Sequence, residues 1–260
     1  MPSVDRDGAS IHYTTAGPSD APAVVFLGDL GFGAWQWGWQ YDAVAGLYHA
    51  VVVDTRGCGR SDAPAGAYEM SDFVADLDAV LADQNLRKAH LVGCGLGGCV
   101  ALAAANRMNR ARSLTLIGTP ATGAQFDPDD LRADPTDDDA LRASTTALLS
   151  DEFAASDDAP IQQIVEWRRD EDADPEAGSA QAAAIADFDP EPLHEVTLPS
   201  LVIAGGRDSA VPVESAETLA DDLPRGEFRE FPEAGHLVTV ERSAAVNDGL
   251  VGFLESVSES

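Results

Sequence analysis

The chain has 260 residues, which is long enough to bury the core of one α/β domain that carries a small insertion. Its formal net charge is -29 and its pI is about 4.1, because 45 Asp and Glu residues stand against only 16 Lys and Arg residues. Such a surface repels nucleic-acid phosphates, which excludes nucleic acid as a partner, and it is typical of halophilic proteins, in which molar salt screens the charge repulsion.

Apolar content and cysteine spacing narrow the class further. The apolar fraction of 45% indicates a folded globular chain rather than a disordered one. No run approaches the roughly 20 apolar residues of a membrane span and no export signal opens the chain, so we expect a cytoplasmic protein without a membrane partner. The 3 cysteines and 5 histidines show no metal-ligand spacing. We therefore expect buried, reduced thiols and neither metal nor cofactor, while no pattern specifies the oligomeric state.

Short runs of β-branched residues recur along the chain and predict strands. Several of them lack alternation of apolar and polar residues, which is typical of parallel strands buried on both faces. The predicted strands cover residues 11–15, 23–27, 50–54, 90–94, 113–117, 201–204 and 227–231. Because helical patterns separate them, their order indicates a mostly parallel central sheet with helices on both faces.

Two of the helices can be placed from apolar spacing. Phe73, Leu77, Val80 and Leu81 share one face of a helix, and we expect Ser71 to be its N-cap. Apolar residues at positions 246, 250, 253 and 254 predict a final amphipathic helix that packs on the sheet.

One segment interrupts the alternation of strands and helices. From about Thr122 to Asp189 there is no strand signal, although residues 137–149 and 161–169 have helical patterns. A structureless loop of that length is rare in a compact domain. We therefore predict a core of residues 1–121 and 190–260 with a small helical cap, residues 122–189, inserted into it; a partly disordered acidic insert is the alternative.

Four motifs follow one another in a fixed order. They are DTRGCGRSD at residues 54–62, LVGCGLGG at 91–98, LPSLVIAGGRD at 198–208 and FPEAGH at 231–236. On these motifs the chain resembles the α/β-hydrolase superfamily, specifically the branch of small esterases, epoxide hydrolases and cofactor-free haloperoxidases. The resemblance covers nearly the whole chain outside the cap and implies the α/β-hydrolase fold.

The resemblance also implies roles for particular residues. Asp208 matches the orienting acid and His236 the general base, since an oriented imidazole can take a proton near neutral pH. The backbone N–H groups of Leu30 and Leu96 match the oxyanion hole. Both side chains of the acid-base pair occur in the expected chain order.

The nucleophile position departs from the family pattern. In the register G-x-S-x-G, the central residue is Gly95, which has no side chain that could attack a substrate. Cys94 lies one residue earlier, and because neighbouring side chains on a strand point to opposite sides, we expect its thiol to face away from His236. We expect the missing side chain to leave room above Gly95 for a water or a substrate group.

The oxyanion loop is the second departure, since Gly28-Asp29 stands where the family usually has His-Gly. An inward Asp29 carboxylate would oppose an oxyanion or serve as an acid, a base or an anchor for a cation, whereas an outward one would only bond the loop or solvent. Trp35 and Trp37 follow the loop and are candidates for the wall of an apolar pocket, although for any single indole the sequence favours packing of the following helix onto the sheet.

A dinucleotide fingerprint is a competing interpretation, because residues 93–98 also fit G-x-G-x-x-G between a strand and a helix. That motif requires an acidic residue at the end of the next strand, where this chain has Gly118-Thr119-Pro120. The fingerprint also leaves Asp208 and His236 unexplained.

Three hypotheses for function remain. The first is an enzyme that uses the Asp208–His236 dyad, without a serine, for ester or lactone hydrolysis or for proton abstraction from a small, apolar molecule. The second is a ligand-binding pseudoenzyme of the same fold. The third is a hydrolase with a displaced nucleophile, either Cys94 or Asp29. The sequence favours the first hypothesis and does not identify the substrate.

Overall fold

The sheet determines where the site lies. The computed structural model describes residues 2–156, 158–190 and 192–258, and within these the strands form one eight-stranded sheet of order β1-β2-β4-β3-β5-β6-β7-β8. The strands are β1 (Ser3–Arg6), β2 (Ala9–Ala16), β3 (Ala23–Leu27), β4 (His49–Val53), β5 (Ala89–Cys94), β6 (Ala111–Ile117), β7 (Ser200–Gly205) and β8 (Gly226–Phe231). The β1–β2 and β2–β4 pairs are antiparallel, and the pairs from β4 through β8 are parallel.

Helices cover both faces of the sheet. They are α1 (Tyr41–Val44), α2 (Met70–Asp83), α3 (Leu96–Arg107), α4 (Asp138–Ala147), α5 (Asp151–Ser156), α6 (Asp158–Glu171), α7 (Pro175–Ala186), α8 (Val213–Asp222), α9 (Val238–Glu241) and α10 (Ser243–Ser258). Residues of α2, α3 and α8 belong to one apolar cluster, and residues of α1 and α10 belong to the other. Along β3, Val24 and Phe26 join the second cluster whereas Val25 and Leu27 join the first, because alternate side chains of a strand face opposite sides.

The predicted fold class is confirmed, since the protein has the α/β-hydrolase fold with a mostly parallel sheet flanked by helices. Each of the seven predicted strands corresponds to an observed one. The strand that the sequence analysis missed is β1, a four-residue edge strand whose residues are all exposed or half-buried. Such a strand lacks the apolar run on which the prediction depended.

The expected N-cap of α2 is wrong. The helix begins at Met70 with Glu69 as N-cap, and the Asp72 side chain accepts a hydrogen bond from the Glu69 backbone N–H at 3.0 Å. Ser71 lies inside the first turn, and its hydroxyl donates to Glu69 Oε2 at 3.2 Å. A reciprocal capping box therefore takes the place of the serine cap.

Residues 122–189, called the helical insertion below, contain α4 to α7 and lie between β6 and β7. Arg168 of α6 is fully buried and holds the insertion together. Its Nε donates to Asp172 at 2.6 Å, and its Nη1 donates to the hydroxyls of Ser144 and Thr145 at 2.8 and 2.9 Å. The same guanidinium lies 4.7 Å from the ring centroid of Phe32, which follows the oxyanion loop. The insertion thus packs on the loop that the sequence analysis singled out.

Among the helices of the described residues, none has the length and apolar character needed to cross a bilayer.

Candidate active site

The strand order brings the singled-out residues together. Leu27 at the end of β3 pairs with Gly93 of β5, so the Gly28-Asp29 loop and the Gly95 turn leave the sheet side by side. The loops after β7 and β8 carry Asp208 and His236 to the same edge. Parallel strands expose their carboxyl ends together, and this edge is where α/β sheets bind ligands.

Asp208 and His236 form the expected pair. His236 Nδ1 lies 2.8 and 2.9 Å from the two carboxylate oxygens of Asp208. Asp208 Oδ1 also accepts hydrogen bonds from the backbone N–H groups of Ala210 and Val211, each at 2.8 Å. The acid is therefore fixed by its own loop, and it orients the imidazole.

Asp29 points inward and occupies the position where the resemblance places the oxyanion hole. Its Oδ1 accepts the backbone N–H groups of Leu30 at 2.6 Å and Leu96 at 3.0 Å, which are the two donors that the resemblance implied. Its Oδ2 lies 2.6 Å from His236 Nε2. Because Leu96 opens α3, the carboxylate also sits at a helix N-terminus, where negative charge is favoured.

His236 therefore lies between two carboxylates, with its side chain fully buried. Each ring nitrogen faces a carboxylate oxygen, and both can donate only when the ring is an imidazolium. Burial lowers the pKa of His236, but the charges and hydrogen bonds of Asp208 and Asp29 outweigh it and raise the pKa to about 10. The two carboxylates therefore favour the imidazolium form of His236 at neutral pH over the neutral imidazole of a free base.

The expected room above Gly95 is not there, because Asp29 fills it. A Cβ atom built on Gly95 would lie 1.8 Å from Asp29 Oδ1 and 2.3 Å from Asp29 Cγ. Gly95 also has φ +46° and ψ -111°, a backbone conformation that residues with a side chain rarely adopt. The carboxylate from the oxyanion loop thus takes the volume that a side chain on the elbow would need.

Cys94 faces the site, so the expectation that its thiol points away is wrong. Its Sγ donates to Asp29 Oδ2 at 3.7 Å, because the inward Asp29 carboxylate reaches over the end of β5. Burial raises the pKa of the Cys94 thiol, and the nearby charges of Asp29 and Asp208 raise it further. A thiol held neutral at physiological pH is a poor nucleophile, which argues against Cys94 as the attacking group.

The two tryptophans are packed. Trp35 lies in the larger apolar cluster, and its Nε1 donates to Asp172 of the helical insertion at 2.8 Å. Trp37 lies in the smaller cluster, with its ring centroid 5.0 Å from that of Phe26. Packing is therefore what the structure shows for both indoles, which lie in clusters on opposite faces of the sheet.

A cavity of about 380 Å³ lies beside the oxyanion loop. It is bordered by Gly31, the residue after the oxyanion donor Leu30, and by Leu131, Asp172 and Ala173 of the helical insertion. Asp29 and His236 do not line it and are at most 1% exposed. In this conformation Asp29 and His236 are closed off from this cavity.

Two positioning residues escaped the sequence analysis. Gln36 accepts the backbone N–H of Asp29 through its side-chain oxygen at 2.8 Å. Glu241 accepts the N–H groups of Gly235 at 2.7 Å and of Ser150 at 2.9 Å, and so ties the histidine loop to the helical insertion. No motif marks either residue: Gln36 bonds a loop residue 7 positions earlier, and Glu241 bonds both Gly235, 6 positions earlier, and Ser150, 91 positions away.

An eight-stranded sheet of this order, with an acid, a histidine and an oxyanion loop at its carboxyl edge, defines the α/β-hydrolase class. Residues 24–248 match the sequence profile of the alpha/beta hydrolase family, and the chain belongs to that family.

Similar proteins include enzymes that act on small molecules. The 3-oxoadipate enol-lactonase 1 of Acinetobacter baylyi is 30% identical over 258 residues, covering 97% of this chain and 96% of that protein. The 2-hydroxy-6-oxononadienedioate/2-hydroxy-6-oxononatrienedioate hydrolase of Paraburkholderia phymatum is 30% identical over 263 residues, covering 94% and 90%. A crystal structure of the enol-lactonase from Burkholderia xenovorans superposes with a TM-score of 0.87 at 24% identity, covering 98% of this chain and all of that one, which shows a shared fold.

Proposed function

We propose that this protein hydrolyses a small ester or lactone and that Asp29 takes the place of the missing serine, with His236 and Asp208 as its partners. One observation carries the proposal: Asp29 Oδ2 lies 2.6 Å from His236 Nε2 while Oδ1 accepts both oxyanion donors. A nucleophile beside an oriented histidine is the arrangement that covalent hydrolysis requires. The relatives, a lactonase among them, support hydrolysis of a small molecule.

The first step forms a covalent intermediate. Asp29 Oδ2 attacks the acyl carbon of the ester, the bond from that carbon to the leaving oxygen breaks, and His236 Nε2 gives its proton to that oxygen. The result is an anhydride between the substrate acyl group and Asp29. Because acylation removes the Asp29 charge, the pKa of His236 falls, and the neutral imidazole becomes able to act as a base.

The second step releases the acid. His236 accepts a proton from water, and the water oxygen attacks Asp29 Cγ. The Cγ–Oδ2 bond then breaks, and Oδ2 leaves with the acyl group as part of the acid product. Oδ1 carries the developing negative charge against the N–H groups of Leu30 and Leu96, which already surround it. The proton left on the new Asp29 carboxyl group departs with the acid product.

Isotope labelling tests this route directly. One turnover in H₂¹⁸O, with the protein in excess over an activated lactone or ester, should place ¹⁸O in Asp29, because the water oxygen bonds to Cγ. Mass spectrometry of the peptide that contains Asp29 measures the label. The peptide that contains Asp208 is the internal control, since this carboxylate also contacts His236 but is not attacked.

Variants separate the roles. Asp29→Asn and His236→Gln should each lower kcat by about 10³-fold or more on a panel of activated esters and lactones, as loss of a nucleophile or its partner does. His90→Gln, which changes a buried histidine nearer the start of β5, should keep kcat within a few-fold. Turnover with no label in Asp29 would contradict the attack of water on its Cγ.

Ligand binding without turnover is the second candidate, and one observation favours it. Asp29 and His236 are at most 1% exposed and satisfy each other's hydrogen bonds, so a substrate must first open the site. A protein that is inactive on the whole panel, yet shows saturable binding of a lactone in calorimetry, would identify this second function.

A further inference from the structure

The cluster beneath the oxyanion loop contains three kinds of metal ligand. Asp29, Cys94 and His236 each offer one ligand atom, and these atoms lie within 4.8 Å of one another. All three residues are buried. We propose that they form a binding site for one Zn²⁺ ion, a group that the sequence analysis did not expect.

The surroundings already hold each ligand in a suitable orientation. Asp208 bonds His236 Nδ1 at 2.8 Å, which leaves Nε2 for a metal, and carboxylate–histidine–zinc arrangements of this kind fix ligating histidines. The backbone N–H groups of Leu30 and Leu96 occupy Asp29 Oδ1, which leaves Oδ2 for the metal. Asp29 Oδ2 and His236 Nε2 therefore remain as the atoms that a metal ion would bind, together with Cys94 Sγ.

One contact in the cluster must widen to admit an ion. Around tetrahedral zinc, neighbouring ligand atoms lie about 3.3 to 3.7 Å apart, as follows from bond lengths of roughly 2.0 to 2.3 Å. The Cys94 Sγ to Asp29 Oδ2 distance is already 3.7 Å, so the contact that must widen is the one of 2.6 Å between His236 Nε2 and Asp29 Oδ2.

The chemistry of the ligand set selects the metal. At present an imidazole N–H and a thiol S–H both point to Asp29 Oδ2, and a divalent ion replaces those two protons. A thiolate, an imidazole and a carboxylate together favour zinc over magnesium or calcium, which prefer oxygen ligands. The site also requires glycine at position 95, because any side chain there would displace the ligand Asp29.

Zinc binding and the proposed hydrolysis exclude each other, since both use Asp29 Oδ2 and His236 Nε2. The metal site does not depend on that hydrolysis, and a protein inactive on every ester would still bind the ion. Direct measurement of the metal therefore tests the site without reference to turnover.

The experiment uses chelator-treated, tag-free protein in high salt, dialysed against Zn²⁺ or Co²⁺. We expect one equivalent of bound metal and, with Co²⁺, a thiolate-to-cobalt charge-transfer band in the near ultraviolet. Cys94→Ser should abolish the band, and Asp208→Asn should weaken Zn²⁺ binding by about 10- to 100-fold. Cys99→Ser, which changes another buried thiol and leaves the acidic surface the same, should keep both the stoichiometry and the band.

A second variant keeps the test decisive if Cys94→Ser fails to fold. In Cys58→Ser/Cys99→Ser, Cys94 is the only thiol left, so a charge-transfer band must come from it. Absence of stoichiometric metal in the wild type would overturn the proposal, as would a band that survives in Cys94→Ser or is missing from the double variant.

Discussion

At the scale of single residues, the site depends on an exchange of volume between two loops. Gly95 has φ +46° and offers no Cβ, and the Asp29 carboxylate fills the space. The two positions are linked, because a side chain on one excludes the side chain on the other. The Asp29 carboxylate, from the neighbouring strand end, therefore occupies the volume that a side chain on the elbow would need.

Gly95→Ser alone should destabilise the protein, by about 1–3 kcal/mol, because overpacking forces the buried Asp29 to move. Adding Asp29→Gly should restore stability and leave the serine beside His236. We expect esterase activity to appear in Asp29→Gly/Gly95→Ser and not in Asp29→Gly/Gly95→Ala, a control with similar packing but no hydroxyl. Chemical denaturation and hydrolysis of an activated ester measure the two effects; a stable, active single Gly95→Ser variant would contradict the exchange.

The raised pKa of His236 predicts how the free energy of unfolding depends on pH. Its pKa is raised to about 10 in the folded protein, against roughly 6.5 in an unfolded chain. A raised histidine pKa contributes stability that is complete below about pH 6.5 and is lost as the pH rises toward about 10. The free energy of unfolding from denaturant titrations should therefore fall across this window, and less steeply in Asp29→Asn. If the free energy of unfolding fell equally steeply with pH in the two proteins, Asp29 would not be raising the pKa of His236.

At the scale of elements, the helical insertion and the sheet edge are joined through the oxyanion loop. Ala173 donates to the Gly31 carbonyl at 2.8 Å, and Gln181 of α7 accepts the Gly31 N–H at 2.6 Å. Residues 122–189 thus fix the backbone that carries Asp29. Helical spacing indicated that helices were present there, but these contacts span about 140 residues of sequence, and no local pattern encodes them.

Arg168→Met should loosen the insertion. The change leaves the buried Asp172 carboxylate without its charged partner, and breaking such a pair costs about 3–5 kcal/mol. We expect a lower free energy of unfolding and faster limited proteolysis within residues 122–189. Arg169→Met is the matched control, because the next residue on α6 forms only an exposed pair with Asp138 and should change little. Similar effects of both substitutions would contradict the role assigned to Arg168.

At the scale of the whole molecule, charge is the dominant feature. A net charge of -29 on 260 residues produces repulsion that weakens the folded state when salt is low. The site itself holds two carboxylates around one histidine, so its local charge is also negative when the ring is protonated. Screening should therefore affect the surface far more than the buried site.

We expect the melting temperature to rise from about 0.1 M to about 2 M KCl, because the Debye length falls from about 10 Å to about 3 Å or less. Scanning calorimetry across this range measures the effect. Sucrose at equal osmolality is the control, since it favours the compact state without screening charge. A rise of the same size in sucrose would show that repulsion is not the cause, and the composition would then not indicate adaptation to salt.

The sequence by itself determined the fold class, seven of the strands, the Asp208–His236 pair and the absence of a nucleophile at Gly95, because these follow from local periodicity and from short motifs in a fixed order. Only the tertiary structure decided what occupies the space beside Gly95. The inward turn of Asp29, the contact of Cys94 with it and the placement of His236 between two carboxylates all arise where the ends of β3, β5, β7 and β8 meet, and distances between loops far apart in the chain set each of them. Sequence spacing carries no information about such distances, since the register of the sheet brings Leu27 beside Gly93 and with it the carboxylate into the oxyanion hole.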